Sequence, residues 1–294
     1  MQLEEYINKA STLIEAMPYI LDFRGSLVVV KLGGSVMENP KALESLLMDV
    51  AFMWTVGMKV VLVHGGGKAI SRALDREGVP SEFKLGLRVT SERAIEVVEH
   101  VLKREVNSEI IRILHAHGIN ARPLHGDWIY TVVRKTGRLP DGSAVDWGFV
   151  GEPTDVDTRP VREMLDAGIL PVVTPLGLSE FNRLHNINAD VAAAALAKAI
   201  RARKLAFLSD VPGLLRDKDD PESLISSLPV GQIEMLKRDG IIGGGMLPKL
   251  ESCVEAIHAG VRKVHLIDGR MPHSLLLEIF TKKGVGTEII SDEQ

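Results

Sequence analysis

Three stretches of the 294-residue chain set glycine runs beside lysines, and together they pose the chemical question. Lys31-Leu32-Gly33-Gly34 follows a β-branched run. A lysine at the carboxyl end of a buried strand points into the crevice where α/β sheets hold ligands. The glycines let backbone N–H groups approach an anion closely. His64-Gly65-Gly66-Gly67-Lys68 repeats the pattern ahead of a helical segment, whose dipole adds to the N–H donors. Gly243-Gly244-Gly245-Met246-Leu247-Pro248-Lys249 is the third, with Pro248 at a helix-start position. Lys249 in a first turn opposes the helix dipole unless an anion lies near. Two familiar phosphate motifs fail at the second run. A P-loop needs glycine at 62 and Ser or Thr at 69, where Leu62 and Ala69 stand; a dinucleotide fingerprint needs glycine at 70, where Ile70 stands. His64 reads as a strand-end structural histidine and Lys68 as a solvated helix residue.

Further polar groups fall into two segments. Gly86-Leu87-Arg88-Val89-Thr90 places an arginine in a loop before a helix. In a pocket Arg88 would clamp a carboxylate; alone it would make a surface salt bridge. Asn186-Ile187-Asn188-Ala189-Asp190 opens an alanine-rich helix. Its polar residues serve as caps, or Asp190 orients lysines by charge pairing. Glycine nests, two lysines and one acid describe phosphoryl transfer, where catalysis is mostly positioning and charge neutralisation. No convincing nucleophile accompanies them: Cys253 sits within a helical pattern and G-x-S-x-G is absent. No metal-ligand signature is present, so no protein-held metal site is expected.

The elements that must position these groups alternate in type. Strands are expected at Leu27–Leu32, Lys59–His64, Leu170–Thr174, Lys204–Leu208 and Lys263–Ile267. Their unbroken apolar runs suit a parallel sheet buried on both faces. Helical patterns cover Pro40–Trp54, Lys68–Arg76, Ser91–His117, Ala189–Arg201 and Leu247–Ala259. This alternation predicts an α/β, three-layer αβα sandwich around a mainly parallel central sheet. Asp127–Thr154 and Leu176–His185 read as hairpins at the edge of that sheet, on the substrate side. Near the start, Leu3, Tyr6, Ile7, Ala10, Leu13, Ile14 and Met17 follow helical spacing, with Pro18 expected to end the helix. That helix either caps its own sheet or buries its stripe against another subunit.

Composition narrows the partners. The formal charge is −4, hydrophobic residues are 45% and aromatics 4%, which is globular rather than disordered and a poor match to general nucleic-acid binding. The core is ample at this length, with roughly three quarters of the unfolded surface buried. A single cysteine excludes a disulfide framework within the chain. No apolar run reaches the ~18 residues of a membrane span, and the acidic N-terminus lacks the pattern of a signal peptide. The expectation is a cytoplasmic protein acting on something small, with no nucleic acid and no membrane.

In their order, VVVKLGG, VLVHGGGK, GLRVT, the VN at 106–107, GFVGE, NINAD, LSDVPG, GGMLPK and DGRMPHSLLLEIFTKKGVGTEI resemble the amino acid kinase family over residues 27–290. Within it they are most similar to the branch that phosphorylates N-acetyl-L-glutamate in arginine biosynthesis. The resemblance implies an N-acetylglutamate lobe at 21–185 and an ATP lobe at 186–294, with Mg2+ arriving on the ATP. It makes Lys31, Lys249 and Asp190 catalytic, the two lysines neutralising the transferring group and Asp190 organising them. Gly66, Gly67, Arg88 and Asn186 would bind the acceptor. Gly33, Gly34, Ser209, Asp210 and Gly213 would bind phosphates or nucleotide. The helix at 1–20 resembles the arm of arginine-inhibited members, which joins dimers into a hexamer. By the same likeness Tyr19, Lys204, Glu278 and Gly286 would line an arginine site, and a nitrogen-signalling protein is a candidate partner. The chain departs from the family pattern at Leu124–Trp128 and Leu178–His185. Three readings stay open: this acceptor, a sibling acceptor (an aminoadipate derivative, glutamate or aspartate), or an inactive arginine-sensing scaffold.

Overall fold

The computed structural model describes residues 2–34, 36–138, 141–243, 246–281 and 284–293. Gly244 and Gly245 of the third glycine run lie outside them. The first half runs α1 (Gln2–Phe23), β1 (Leu27–Leu32), α2 (Pro40–Thr55), β2 (Lys59–His64), α3 (Gly67–Arg76), β3 (Glu82–Lys84), β4 (Leu87–Val89) and α4 (Glu92–His100). A π-helical turn (Val101–Val106) leads into α5 (Asn107–Ala116), then β5 (Ala121–Leu124), β6 (Tyr130–Arg138) and β7 (Ala144–Val156). The chain continues through α6 (Arg159–Asp166), β8 (Leu170–Val173), β9 (Leu176–Leu178), β10 (Leu184–Asn186), α7 (Ala189–Ile200) and β11 (Lys204–Ser209). It ends with β12 (Ser227–Pro229), α8 (Ile233–Arg238), α9 (Met246–His258), β13 (Lys263–Asp268), α10 (Ser274–Phe280) and β14 (Thr287–Ile290).

One eight-stranded sheet has the order β12-β14-β13-β11-β1-β2-β8-β5. Its pairings are parallel except β13 with β14. Side chains alternate across the central strands. Val29, Val61, Val63, Leu205 and Phe207 belong to one core, shared with α7 and α9. Val28, Val30, Val60, Leu62 and Ala206 belong to the other, shared with α2, α5 and α10. This period of two is what fixes the catalytic face. Lys31 falls on the side of Val29, so it meets α7 and α9 rather than α2.

Local chemistry starts the helices. Asn39 Oδ1 accepts from the N–H groups of Lys41 and Ala42, with Pro40 at the first helical position of α2. Asp49, fully buried in α2, lies 2.6 Å from Nδ1 of His273, the residue just before α10. Through this contact and the His273 N–H donating to Ser45 Oγ at 3.3 Å, the start of α10 is held against α2.

Two expectations are corrected. The two predicted hairpins form, β6 with β7 and β9 with β10, but they pair with each other rather than standing apart at the sheet edge, and close as a small barrel in the order β10-β7-β6-β9. Closure removes strand edges that the main sheet, already ended by β5, does not cover. Pro18 does not end α1, which runs on to Phe23. A proline inside a helix deletes one donor and crowds the carbonyl of Ile14, a cost of about 3 kcal/mol that contacts further along the helix can offset. The far end is then anchored: Phe23 is buried against Phe280, and Arg203 pairs with Asp22 at 2.7 Å. Upstream of it Leu3, Tyr6, Ile7, Leu13, Ile14 and Met17 are exposed, so α1 does not cap its own sheet.

Candidate active site

The centre of the site is a carboxylate held between two ammoniums. Lys31, the fifth residue of β1, places Nζ 2.7 Å from Asp190 Oδ1. Lys249, in the first turn of α9, places Nζ 2.7 Å from Asp190 Oδ2. Lys249 also sits over the Phe207 ring, 5.4 Å from its centroid, a cation–π contact. Asp190 lies in the first turn of α7, whose start is capped by Asn188 Oδ1 accepting from the Asp190 N–H at 2.8 Å. The N-terminal dipole favours a carboxylate there. Burial alone would raise the Asp190 pKa, but the two lysines outweigh it and hold it down at about 2. Lys31 is 7% exposed; burial pulls its ammonium below the ordinary lysine range, Asp190 opposes this and Lys249 reinforces it.

Beside this bridge opens a cavity of ≈ 380 Å³, in the range of small-molecule sites. Lys31, Gly34, Gly66, Gly67, Arg88, Asn186 and Asp190 all line it. Lys68 is exposed at its rim. Among the described residues the N–H groups of Gly34, Gly66 and Gly67 have no protein acceptor. Arg88 reaches the cavity from β4, which is tied to the barrel through Thr90 and Gly148. Its guanidinium is buried, and burial lowers its pKa. It donates to Gly67 O at 2.7 Å and Ser71 Oγ at 2.8 Å, also meets Ser81 Oγ, and stacks 4.5 Å from the Phe83 centroid. Ser71, Ser81 and Phe83 were not singled out from sequence; nothing local marks them as partners of Arg88.

The predicted phosphate and nucleotide residues divide. Gly33 does not line the cavity: its N–H donates to Leu208 O at 2.8 Å, and a Cβ there would stand 2.6 Å from that oxygen. Glycine is needed for this close approach of β1 to β11. Ser209 ends β11 with a buried Oγ lacking any partner among the described residues, and Asp210 follows it, exposed. Gly213 adopts φ +117 against Thr287, where a Cβ would meet Oγ1 at 2.6 Å. It shapes a turn packed on Leu224 and Thr287.

The four residues expected for an effector also divide. Lys204, at the opposite end of β11, lies 3.1 Å from His265 Nε2, and His265 Nδ1 lies 2.7 Å from Glu278 Oε1. Glu278 Oε2 accepts from the N–H groups of Val285 at 2.7 Å and Gly286 at 2.9 Å. Burial opposes the Glu278 charge, but His265 and these donors outweigh it and lower its pKa. Burial brings Lys204 down to about 8. Tyr19 packs on the neighbouring core without a hydrogen bond to this chain of contacts. His265, the link between Lys204 and Glu278, was missed, although one histidine inside the apolar strand KVHLID is a readable signal.

Known proteins bear on this geometry. An acetylglutamate kinase of Heliobacterium modesticaldum is 47% identical over 290 residues, 97% of this chain and 98% of that one. An acetylglutamate kinase of Synechocystis sp. is 42% identical over 291 residues, covering 98% and 95%. Among solved structures, an N-acetylglutamate synthase from Neisseria gonorrhoeae, complexed with coenzyme A and N-acetyl-glutamate, superposes with a TM-score of 0.84 at 27% identity. That match covers 96% of this chain and 63% of the synthase, so this chain spans less than two thirds of it. The sequence pattern of the amino acid kinase family matches residues 26–268, and by that match and these relatives the chain belongs to the amino acid kinase family.

Proposed function

We propose that this chain transfers the γ-phosphoryl group of ATP to the γ-carboxylate of N-acetyl-L-glutamate, giving N-acetyl-L-glutamyl 5-phosphate and ADP in arginine biosynthesis. The observation that carries the reading is the Lys31–Asp190–Lys249 bridge opening onto a cavity that holds Arg88 and Asn186. Full-length relatives named for this reaction support it.

The chemistry asks little beyond charge and position. A carboxylate oxygen bonds to the γ-phosphorus as the bridging P–O bond breaks, and ADP leaves with that electron pair. The nucleophile is ionised at neutral pH, so no general base is required. Lys31 and Lys249 neutralise the equatorial oxygens of the transferring group from two sides. Asp190 fixes both ammoniums beforehand, which spares reorganisation during reaction. Gly34, Gly66 and Gly67 offer N–H donors to phosphate or carboxylate oxygens. Arg88 and Asn186 hold the acceptor. Residues 21–185 form most of the acceptor side and 186–294 most of the ATP side, with Asn186 at their junction serving the acceptor and Gly33 the nucleotide. Ser209 and Asp210 would stand on the nucleotide side; Mg2+, carried mainly by the phosphates of ATP, would supply charge neutralisation there. Gly33 and Gly213 shape the backbone on the nucleotide side.

Regulation belongs to the same reading. The uncovered apolar stripe of α1 suits an arm that joins dimers into a hexamer. The Lys204–His265–Glu278 chain, with Gly286 and Tyr19 nearby, suits arginine as a feedback inhibitor. A biosynthetic role accords with a cytoplasmic setting. The product class gives the test. Hydroxylamine should trap an acyl phosphate as a hydroxamate when ATP and N-acetyl-L-glutamate are both present; ADP formation with no hydroxamate would contradict the assignment.

A further inference from the structure

The helix from Glu92 to Ala116 changes its winding midway, at the π-helical turn Val101–Val106. Such turns are rare and are frequently found at functional sites. Here the turn faces the second glycine run. Leu102 is fully buried against Gly66, where a Cβ would stand 2.8 Å from Leu102 Cδ2. The residue after the turn, Asn107, is 1% exposed. Its amide nitrogen lies 3.0 Å from His64 Nε2 and 2.9 Å from Val172 O. His64, fully buried, lies with Nδ1 2.8 Å from Gly65 O.

These contacts fix a tautomer. The amide nitrogen donates, so Nε2 must accept; Nδ1 then carries the proton and donates to the Gly65 carbonyl. Burial drives the His64 pKa down to about 4, consistent with a neutral ring. The loop carbonyls are thereby all committed. Gly65 O is held by His64, Gly66 O by the Ile70 N–H at 2.8 Å, and Gly67 O by Arg88 at 2.7 Å. The N–H groups of Gly66 and Gly67 are what remains for the cavity.

We propose that Asn107 and His64, brought together by the π-helical turn, are positioning residues that hold the Gly65 carbonyl back and so aim the Gly66 and Gly67 N–H groups at the reacting phosphoryl and carboxylate oxygens. This rests on the kinase reading above. Neither side chain touches substrate; both act through the loop backbone. A loop that rocks by about 1 Å misplaces the donors, and such errors cost about 10- to 100-fold in rate.

Two readouts test it on the full chain. Nitrogen NMR of uniformly labelled protein reports the ring tautomer of His64 directly, whatever the acceptor is. The Nδ1–H form is expected, and an Nε2–H form overturns the proposal. The second readout is Asn107→Asp, nearly isosteric but without the donor, assayed beside wild type for hydroxamate formation. A fall in kcat of about tenfold or more is expected, with acceptor and ATP KM within about twofold and a native circular dichroism spectrum. An unchanged kcat, or a loss confined to KM, overturns the proposal. An inactive wild type with the Nδ1–H tautomer would fault the kinase reading and leave the loop assignment standing on the spectrum.

Discussion

Lys31 and Lys249 stand on opposite oxygens of one carboxylate, Asp190, each 2.7 Å away. One lysine comes from a central strand and the other from a helix in the second half of the chain. The carboxylate is thus a spacer that sets where two positive charges lie relative to each other.

The first consequence concerns alkaline pH. Lys31 works as an ammonium, and burial puts its pKa below the ordinary lysine value. Activity is therefore lost as pH rises through that lowered value, ahead of the ~10.4 of a free lysine. The profile of kcat/KM between pH 6 and 10.5, which reports the free enzyme, should show this limb. Lys31→Arg should remove the limb, since guanidinium stays charged, while lowering kcat about 10- to 100-fold because the fork does not fit an ammonium site. A limb that persists unchanged in Lys31→Arg would assign it to another group.

Acid stability follows from the same bridge. Asp190 has a folded pKa of about 2, below the ~3.9 of an unfolded chain. A depressed carboxylate contributes stability fully above the unfolded value and loses it as pH falls through the folded one. Thermal melting should drop by more than about 5 °C from this group and its like between pH 4 and 2. Asp190→Asn should start lower at neutral pH, with two lysines unpaired, and show a shallower acid decline. An equal decline in both proteins would show that the bridge does not couple folding to protons.

Arg88 holds Gly67 O and Ser71 Oγ while it lines the cavity. Arg88→Ala should raise the acceptor KM about 10- to 100-fold, the scale of a lost charged hydrogen bond, and leave ATP KM within about twofold. Arg88→Lys should fail to restore it, because one ammonium cannot hold those two partners and present a fork. An unaltered acceptor KM in Arg88→Ala would remove Arg88 from the acceptor site.

Assembly and inhibition should separate from catalysis. Deleting residues 1–20, or placing Glu at Leu13 and Ile14 on the exposed stripe of α1, should reduce the mass seen by sedimentation to that of a dimer. Basal ADP release should change less than about twofold, and arginine inhibition should weaken by about tenfold or more. Glu278→Gln, which removes the charge and one of the two acceptor oxygens shared by His265 and the N–H groups of Val285 and Gly286, should weaken inhibition in a protein that keeps its full mass. A truncated protein of unchanged mass and sensitivity would contradict the arm.

Much of the architecture could be read from the chain because it depends on local patterns. Runs such as LVVVKL and KVVLVH are buried on both faces, and β1 and β2 end where their apolar runs end. The meeting of Lys31, Asp190 and Lys249 could be anticipated from glycine runs and motif order. What escaped depends on distance in sequence. The barrel forms because β9 and β10 pair with β6 and β7, a closure that no hairpin pattern announces. The π-helical turn leaves no mark in the periodicity of residues 91–117, so Asn107 and His64 read as unrelated residues. Pro18 did not end the helix because residues beyond it, Asp22 and Phe23, are held by Arg203 and Phe280, contacts distant in sequence.

The most direct test of the central claim is ADP release by the full-length protein with ATP and, in turn, N-acetyl-L-glutamate, L-glutamate and L-aspartate. Turnover with N-acetyl-L-glutamate at a kcat/KM at least about 100-fold above the other two is predicted, the scale of discrimination when a site built for an amide loses its partner. Preference for either free amino acid, or no turnover with any of the three, would contradict the account.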